Sequence, residues 1–334
     1  MAVLSPAVTT GTANYNKQLT DLVVRSLREE PRADLPWVPI CKPASFIAGT
    51  NNTMRYLRVA DMTVSTNSGT VTPGTQPWLE EGTSPAFEAA TIGYEEFSAA
   101  QAGRVLRATD IAEDRWGEDE SLISVMTERV TRNAAATADL YVRDTVKAGS
   151  QKVYANAAHT SVATTAAGDA VIGTTIRKVA AQMKKSLIPK FGDASYHAHI
   201  APGVVFDIEG DTAAGGWIDV QRYATPQNML TGEIGKYGGI RFIETASAAV
   251  WVAGGVAGID VFATTVFGPE AFVFGDWGTV KVYYTPQGGP GDELHQRSSV
   301  GWKSNYGVLR VGEGANATNI TPPRYVNIVS AAGA

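Results

Sequence analysis

Apolar and neutral positions recur in steps of three or four along residues 118–148, at Ile123, Met126, Val130, Ala134, Thr137, Tyr141 and Thr145. A helix of about 3.6 residues per turn gathers such positions on one face, and Leu122, Val125, Ala138 and Leu140 widen the stripe. Glu118, Asp119 and Glu120 place negative charge at the positive end of the helix dipole, Lys147 sits at the other end, and Gly149 is a stop signal. About 30 residues at about 1.5 Å rise make a rod on the order of 45 Å. That is long enough to span a domain. A second amphipathic helix is predicted over 174–187, with Ile176, Val179, Ala180, Met183 and Leu187 facing a core and Pro189 ending it. A short third candidate carries Leu19, Leu22, Val23 and Leu27 and stops before Pro31.

The remaining pattern is strand and turn. Pro31, Pro36, Pro39 and Pro43 forbid regular structure and give an extended arm, which either straps its own domain through Trp37 and Ile40 or reaches a neighbouring subunit. Residues 53–60 and 87–100 read as two strands of a long hairpin around a Gly/Pro/Ser/Thr-rich span. Neither alternates cleanly, so the ribbon is expected to be exposed on both sides and to need a partner, because a two-stranded ribbon is marginal in water. Arg55, Arg58, Trp78, Glu80, Glu81 and, in the arm, Trp37 are the expected intersubunit contacts. Short β-rich segments from 196 to 284 indicate an α+β domain, and 300–311 supplies an aromatic-rich strand expected to return near the long helix.

Composition narrows the function. The 334 residues are 44% hydrophobic and 18% charged, enough for a sizeable core and about two domains. A net charge of -5 gives no global case for tight nucleic-acid binding. Arg177, Lys178, Lys184 and Lys185 form the densest basic patch, either a solvated helix face or a weak inner-surface contact for DNA. One cysteine excludes an intrachain disulfide. His197 and His199 share a strand face, but two ligands define no zinc site. No phosphate loop, dinucleotide fingerprint or nucleophile elbow occurs, and Cys41 lies in a proline-rich arm, so no catalytic residue, metal or cofactor is expected. The N-terminus lacks the basic region of a signal peptide, and no run approaches the 18 or so apolar residues of a membrane span.

Seven segments in order carry a resemblance: LEEGTSP (79–85), GRVLRATDIAED (103–114), ADLYVRD (138–144), HIAPGVVFD (199–207), GEIGKYGGIRFIE (232–244), FGPEAF (267–272) and QRSSVGWK (296–303). Together they resemble the major capsid proteins of tailed phages, in particular the family typified by the coat protein of phage N4. The resemblance implies an α+β, HK97-like capsid fold: an N-terminal arm (1–48), an E-loop hairpin (49–100), a P-domain on the long helix (101–168), an A-domain (169–290), and return strands with a tail (291–334). It implies hexamers and pentamers closing an icosahedral shell around double-stranded DNA, assembled in the host bacterial cytoplasm and residing in the virion. The partners it implies are a portal, a decoration or cement protein, and a separate scaffolding protein, since the chain lacks a long charged N-terminal segment. An encapsulin-like nanocompartment shell and a soluble α+β enzyme are the alternatives.

Overall fold

The computed structural model describes residues 7–8, 35–45, 53–59, 92–116, 122–210, 233–276, 280–288, 291–314 and 322–331. In chain order these form β1 (Ala7–Val8), β2 (Lys42–Ser45), β3 (Thr53–Val59), β4 (Ile92–Ser98), β5 (Ala100–Thr109), helix α1 (Asp110–Asp114) and the long helix α2 (Leu122–Lys147). There follow β6 (Lys152–Tyr154), helix α3 (Gly173–Lys185), β7 (Tyr196–Ile200), helix α4 (Pro202–Glu209), β8 (Glu233–Tyr237), β9 (Ile240–Glu244) and β10 (Ala249–Trp251). The chain ends with β11 (Val261–Phe267), β12 (Phe272–Asp276), β13 (Lys281–Thr285), β14 (Arg297–Arg310) and β15 (Tyr325–Ala331).

Two sheets carry the structure. The first runs β1-β5-β14-β12-β2 with β13 also paired to β14; the second runs β6-β15-β11-β7-β9-β8 with β10 paired to β11. Sheet membership does not follow the sequence boundary at 290. Strands β12 and β13 join β14 in the first sheet, whereas β15 lies inside the second, between β6 and β11. All seven residues of β15 are buried, as expected of a strand covered on both faces.

Helix α2 joins the two sheets, and its buried face follows the predicted one through Leu122, Met126, Val130, Ala134 and Ala138 and departs from it beyond them. The buried positions are Leu122, Met126, Val130, Ala134, Ala138, Val142 and Val146, whereas Tyr141 and Leu140 are exposed. Each four-residue step advances about 40° beyond a full turn at 3.6 residues per turn, so this stripe winds around the helix. The winding follows a change of partner. The first five positions pack against Val300 and Trp302 of the first sheet, and Val142 and Val146 pack with Trp37, Phe267, Phe272 and Tyr325. The helix stops before Gly149, where a Cβ would lie 1.8 Å from the Tyr325 hydroxyl. Close approach therefore requires glycine there. The acidic lead-in at 118–120 lies outside the described residues.

Helix α3 covers the second sheet with Ile176, Val179, Ala180 and Met183. Leu187, expected in the core, is instead 89% exposed with φ 52°, because the helix has ended and Ile188 turns inward in its place.

Candidate assembly surfaces

The residues with chemical potential are used to hold the fold. Cys41 is buried and donates to the Trp37 carbonyl oxygen at 3.3 Å. Burial, reinforced by the negative charge of Asp139, pushes its thiol up to about 12, so almost no thiolate exists at neutral pH. His197 stacks on Phe191 at 4.1 Å and contacts Asp193 at 3.2 Å, while buried His199 meets Trp37 and Phe267 edge-on. Asp193 also receives the Ser195 hydroxyl and pairs with Arg241 at 3.1 Å. Burial alone would raise its carboxyl, but the Ser195 and His197 hydrogen bonds outweigh it and hold the group at about 2. Among the described residues no group of three or more His, Cys, Asp or Glu side chains is placed to hold a metal ion.

An open cleft of about 910 Å³ lies beyond the end of α2, lined by Ser150, Lys152, Tyr154, His159, Arg310 and Glu313 among others. Its charges are already engaged. Lys152 sits 5.2 Å over the Trp251 ring, His159 contacts Asp169 at 3.0 Å, and Arg310 pairs with Glu313 at 2.9 Å. Glu313 also accepts from the Ser150 amide at 3.1 Å. Burial works against its charge, yet the Ser150 donors outweigh that and keep the carboxyl below its usual range. Lys152, His159, Arg310 and Glu313 are thus each engaged by the protein itself.

Trp37 corrects an expectation. It is 0% exposed within its own chain, its indole donates to the Ser247 carbonyl oxygen at 2.8 Å, and its ring fills the junction between α2 and the two sheets. The amides of Trp37 and Val38 both donate to Asp139 Oδ1, at 2.8 and 2.9 Å. Residues 35–41 are therefore a strap on their own domain, with Trp37 and Cys41 buried and Pro39 exposed. Asp139 lies outside the predicted helix stripe, so periodicity holds no signal for this contact; a carboxylate is buried only where donors meet it, and those donors come from Trp37 and Val38.

The hairpin is rooted on its own chain. Strands β3 and β4 pair antiparallel from Thr53↔Ser98 to Val59↔Ile92. At the root, Gly93, Glu95 and Phe97 are buried while Tyr94 is exposed, so β4 does alternate there. The sequence hid this because one inward position is a glutamate: Glu95 accepts the Gly312 amide at 3.0 Å. Phe97 and Ala99 pack with Val273, Leu309 and Val311. Arg55 contacts Glu96 at 2.6 Å and lies 4.9 Å from the Tyr94 ring centroid, on an exposed face. Arg58 stands on β3 opposite Gly93. Trp78, Glu80 and Glu81 lie outside the described residues.

Arg177, Lys178, Lys184 and Lys185 are all exposed on α3, and no ion pair engages them among the described residues. No helix of the described residues is long and apolar enough to cross a membrane.

No protein-family model matches the chain, and no curated protein matches its sequence. Its structure is similar to the capsid of Ralstonia phage GP4 (TM-score 0.63, 12% identity, covering 91% of this chain and 94% of that one). It is likewise similar to the head structure of Helicobacter pylori bacteriophage KHP40 (0.62, 12%, 91% and 92%) and to the cyanophage Pam1 capsid asymmetric unit (0.60, 11%, 91% and 95%). The chain has the HK97-like capsid fold.

Proposed function

We propose that this chain is the major capsid protein of a tailed double-stranded DNA phage, self-assembling as hexamers and pentamers into an icosahedral shell. The observation that carries the proposal is the end-to-end likeness to phage capsids, which covers nine-tenths or more of both chains in each comparison. The engagement of the ionisable groups within the protein agrees with a chain whose work is done by its surfaces. The same likeness favours a viral shell over a cellular nanocompartment.

In this reading 49–100 is the E-loop, α2 is the spine of the P-domain, and the second sheet with α3 belongs to the A-domain, with β15 reassigned to it. The finer affiliation is the N4-type coat family that the sequence segments resemble. A scaffolding protein, a portal, a cement protein and weak contacts to packaged DNA complete the set of partners. The test is electron microscopy of the chain co-expressed with its candidate scaffolding protein. Closed icosahedral shells support the proposal, and a stable monomer that turns over a substrate overturns it. Particles from cells that hold double-stranded DNA separate a virus from a compartment loaded with an enzyme.

A further inference from the structure

Strand β13 is an edge without cover. It pairs with β14 alone, and all five of its residues, Lys281–Thr285, are exposed. Register sets Val282 and Tyr284 beside Trp302 and Val300, which are buried beneath α2, yet Val282 is 44% and Tyr284 51% exposed. The helical cover therefore ends at β14. On the opposite face Tyr283 is 52% exposed. Alternate residues of an edge strand turn their amide and carbonyl groups outward, and no backbone hydrogen bond reaches 281–285 from that side among the described residues.

Such an edge is a template for another strand unless something blunts it. Here Val282, Tyr283 and Tyr284 are strand-forming types, the pairing with β14 runs without a bulge, and proline comes only after the strand, at 286. Charge is divided along the strand. At one end Lys281 stands opposite Lys303, and their row holds no carboxylate. At the other end Thr285 lines a small cavity with Asp292, Arg107 and Arg297; the exposed Glu293 follows, and Glu113 accepts from Gln287 at 3.2 Å. Three carboxylates there face two arginines.

We propose that β13 pairs antiparallel with β13 of a second copy of the chain, about a two-fold axis through Tyr283. This rests on the shell reading above and adds a specific contact to it. Antiparallel pairing sets Tyr283 opposite the partner's Tyr283, Val282 opposite the partner's Tyr284 and Lys281 opposite the partner's Thr285. Aromatic and β-branched side chains then meet across the edge, and the two lysines of each copy approach the acidic turn of the other. Parallel pairing in the same register sets Lys281 against the partner's Lys281, which like charge disfavours. A two-fold contact is isologous, whereas neighbours within a hexamer or pentamer repeat a heterologous one, so this pairing joins one hexamer or pentamer to the next. The two first sheets become one continuous sheet across that boundary.

The test is disulfide trapping in assembled shells of the full chain. The native Cys41 is buried, so the unsubstituted chain serves as the blank. Directly opposite residues of an antiparallel pair have Cα atoms about 4.5 to 5.5 Å apart, within reach of a disulfide. Tyr283→Cys should therefore give covalent dimers under mild oxidation, in shells and not in free subunits. Lys281→Cys alone should not link, because four residues at about 3.3 Å each hold the two sites about 13 Å apart. The double variant K281C/T285C should give dimers only, since a two-fold contact closes on itself. In the unsubstituted chain the 281–285 amides should exchange about tenfold or more slowly in shells than in free subunits, a measurement that decides the question even if Tyr283→Cys does not assemble. Shells in which Tyr283→Cys stays monomeric, linking by Lys281→Cys alone, ladders of three or more chains from the double variant, or equal exchange in both states overturns the proposal. If the unsubstituted chain forms no shells, the shell reading itself has failed and this pairing falls with it, a result seen before any cysteine is introduced.

Discussion

Asp139 holds the strap to the long helix, and removing it should cost the subunit a large fraction of its stability. Its Oδ1 accepts the amides of Trp37 and Val38 at 2.8 and 2.9 Å, and the residue is 0% exposed. A hydrogen bond to a charged group contributes about 1.5 to 3 kcal/mol, so two contribute about 3 to 6. Releasing the carboxylate from burial offsets part of this, while the Trp37 amide loses its acceptor in the core. We expect Asp139→Ala to destabilise by about 3 kcal/mol, set against a typical total of about 5 to 15. Asp139→Asn keeps a neutral acceptor and should cost about 1 to 2 kcal/mol. Urea denaturation of the purified subunit measures both. Hydrogen exchange of the 35–41 peptide locates the effect, since the Trp37 and Val38 amides should be slow in the parent chain and fast in Asp139→Ala. An Asp139→Ala chain within about 0.5 kcal/mol of the parent, the usual spread for a featureless surface substitution, with those amides still protected, would refute the latch.

Three further outcomes are expected. In free subunits the hairpin root at 93–98 should exchange slowly, because its own chain buries it, while 60–91 should become protected only in particles; equal protection of 60–91 in both states would remove the intersubunit reading. Changing Arg177, Lys178, Lys184 and Lys185 together to Gln should leave the yield of empty shells unchanged and make DNA retention weaker and less salt-dependent; equal retention across a salt series would return them to a solvated helix face. The carboxyl of Asp193 is depressed to about 2 from an ordinary value near 3.9, so its contribution is present above about pH 4 and is lost as pH falls through about 2. The melting temperature of the parent should fall across that window more steeply than that of Asp193→Asn, and identical slopes would show that the cluster contributes nothing.

Periodicity located both principal helices, because burial on one face writes a 3.6-residue repeat into the residue types. Runs of β-forming residues located the hairpin and most strands, and the ordered segments pointed to the fold. Periodicity gave the buried face of α2 as far as Ala138 but not beyond: the stripe turns from Val130 and Ala134 toward Val142 and Val146 only because the helix passes from one sheet to the strap and the other sheet. Glu95 and Asp139 read locally as solvent positions, and their burial depends on amides 217 and 101 or more residues away along the chain. Trp37 has the residue type of an interface anchor and the environment of a core residue. The placement of β15 in the second sheet and the meeting of Lys281 with Lys303 are likewise long-range pairings. A local pattern records which side chains prefer burial, and the tertiary structure decides what buries them.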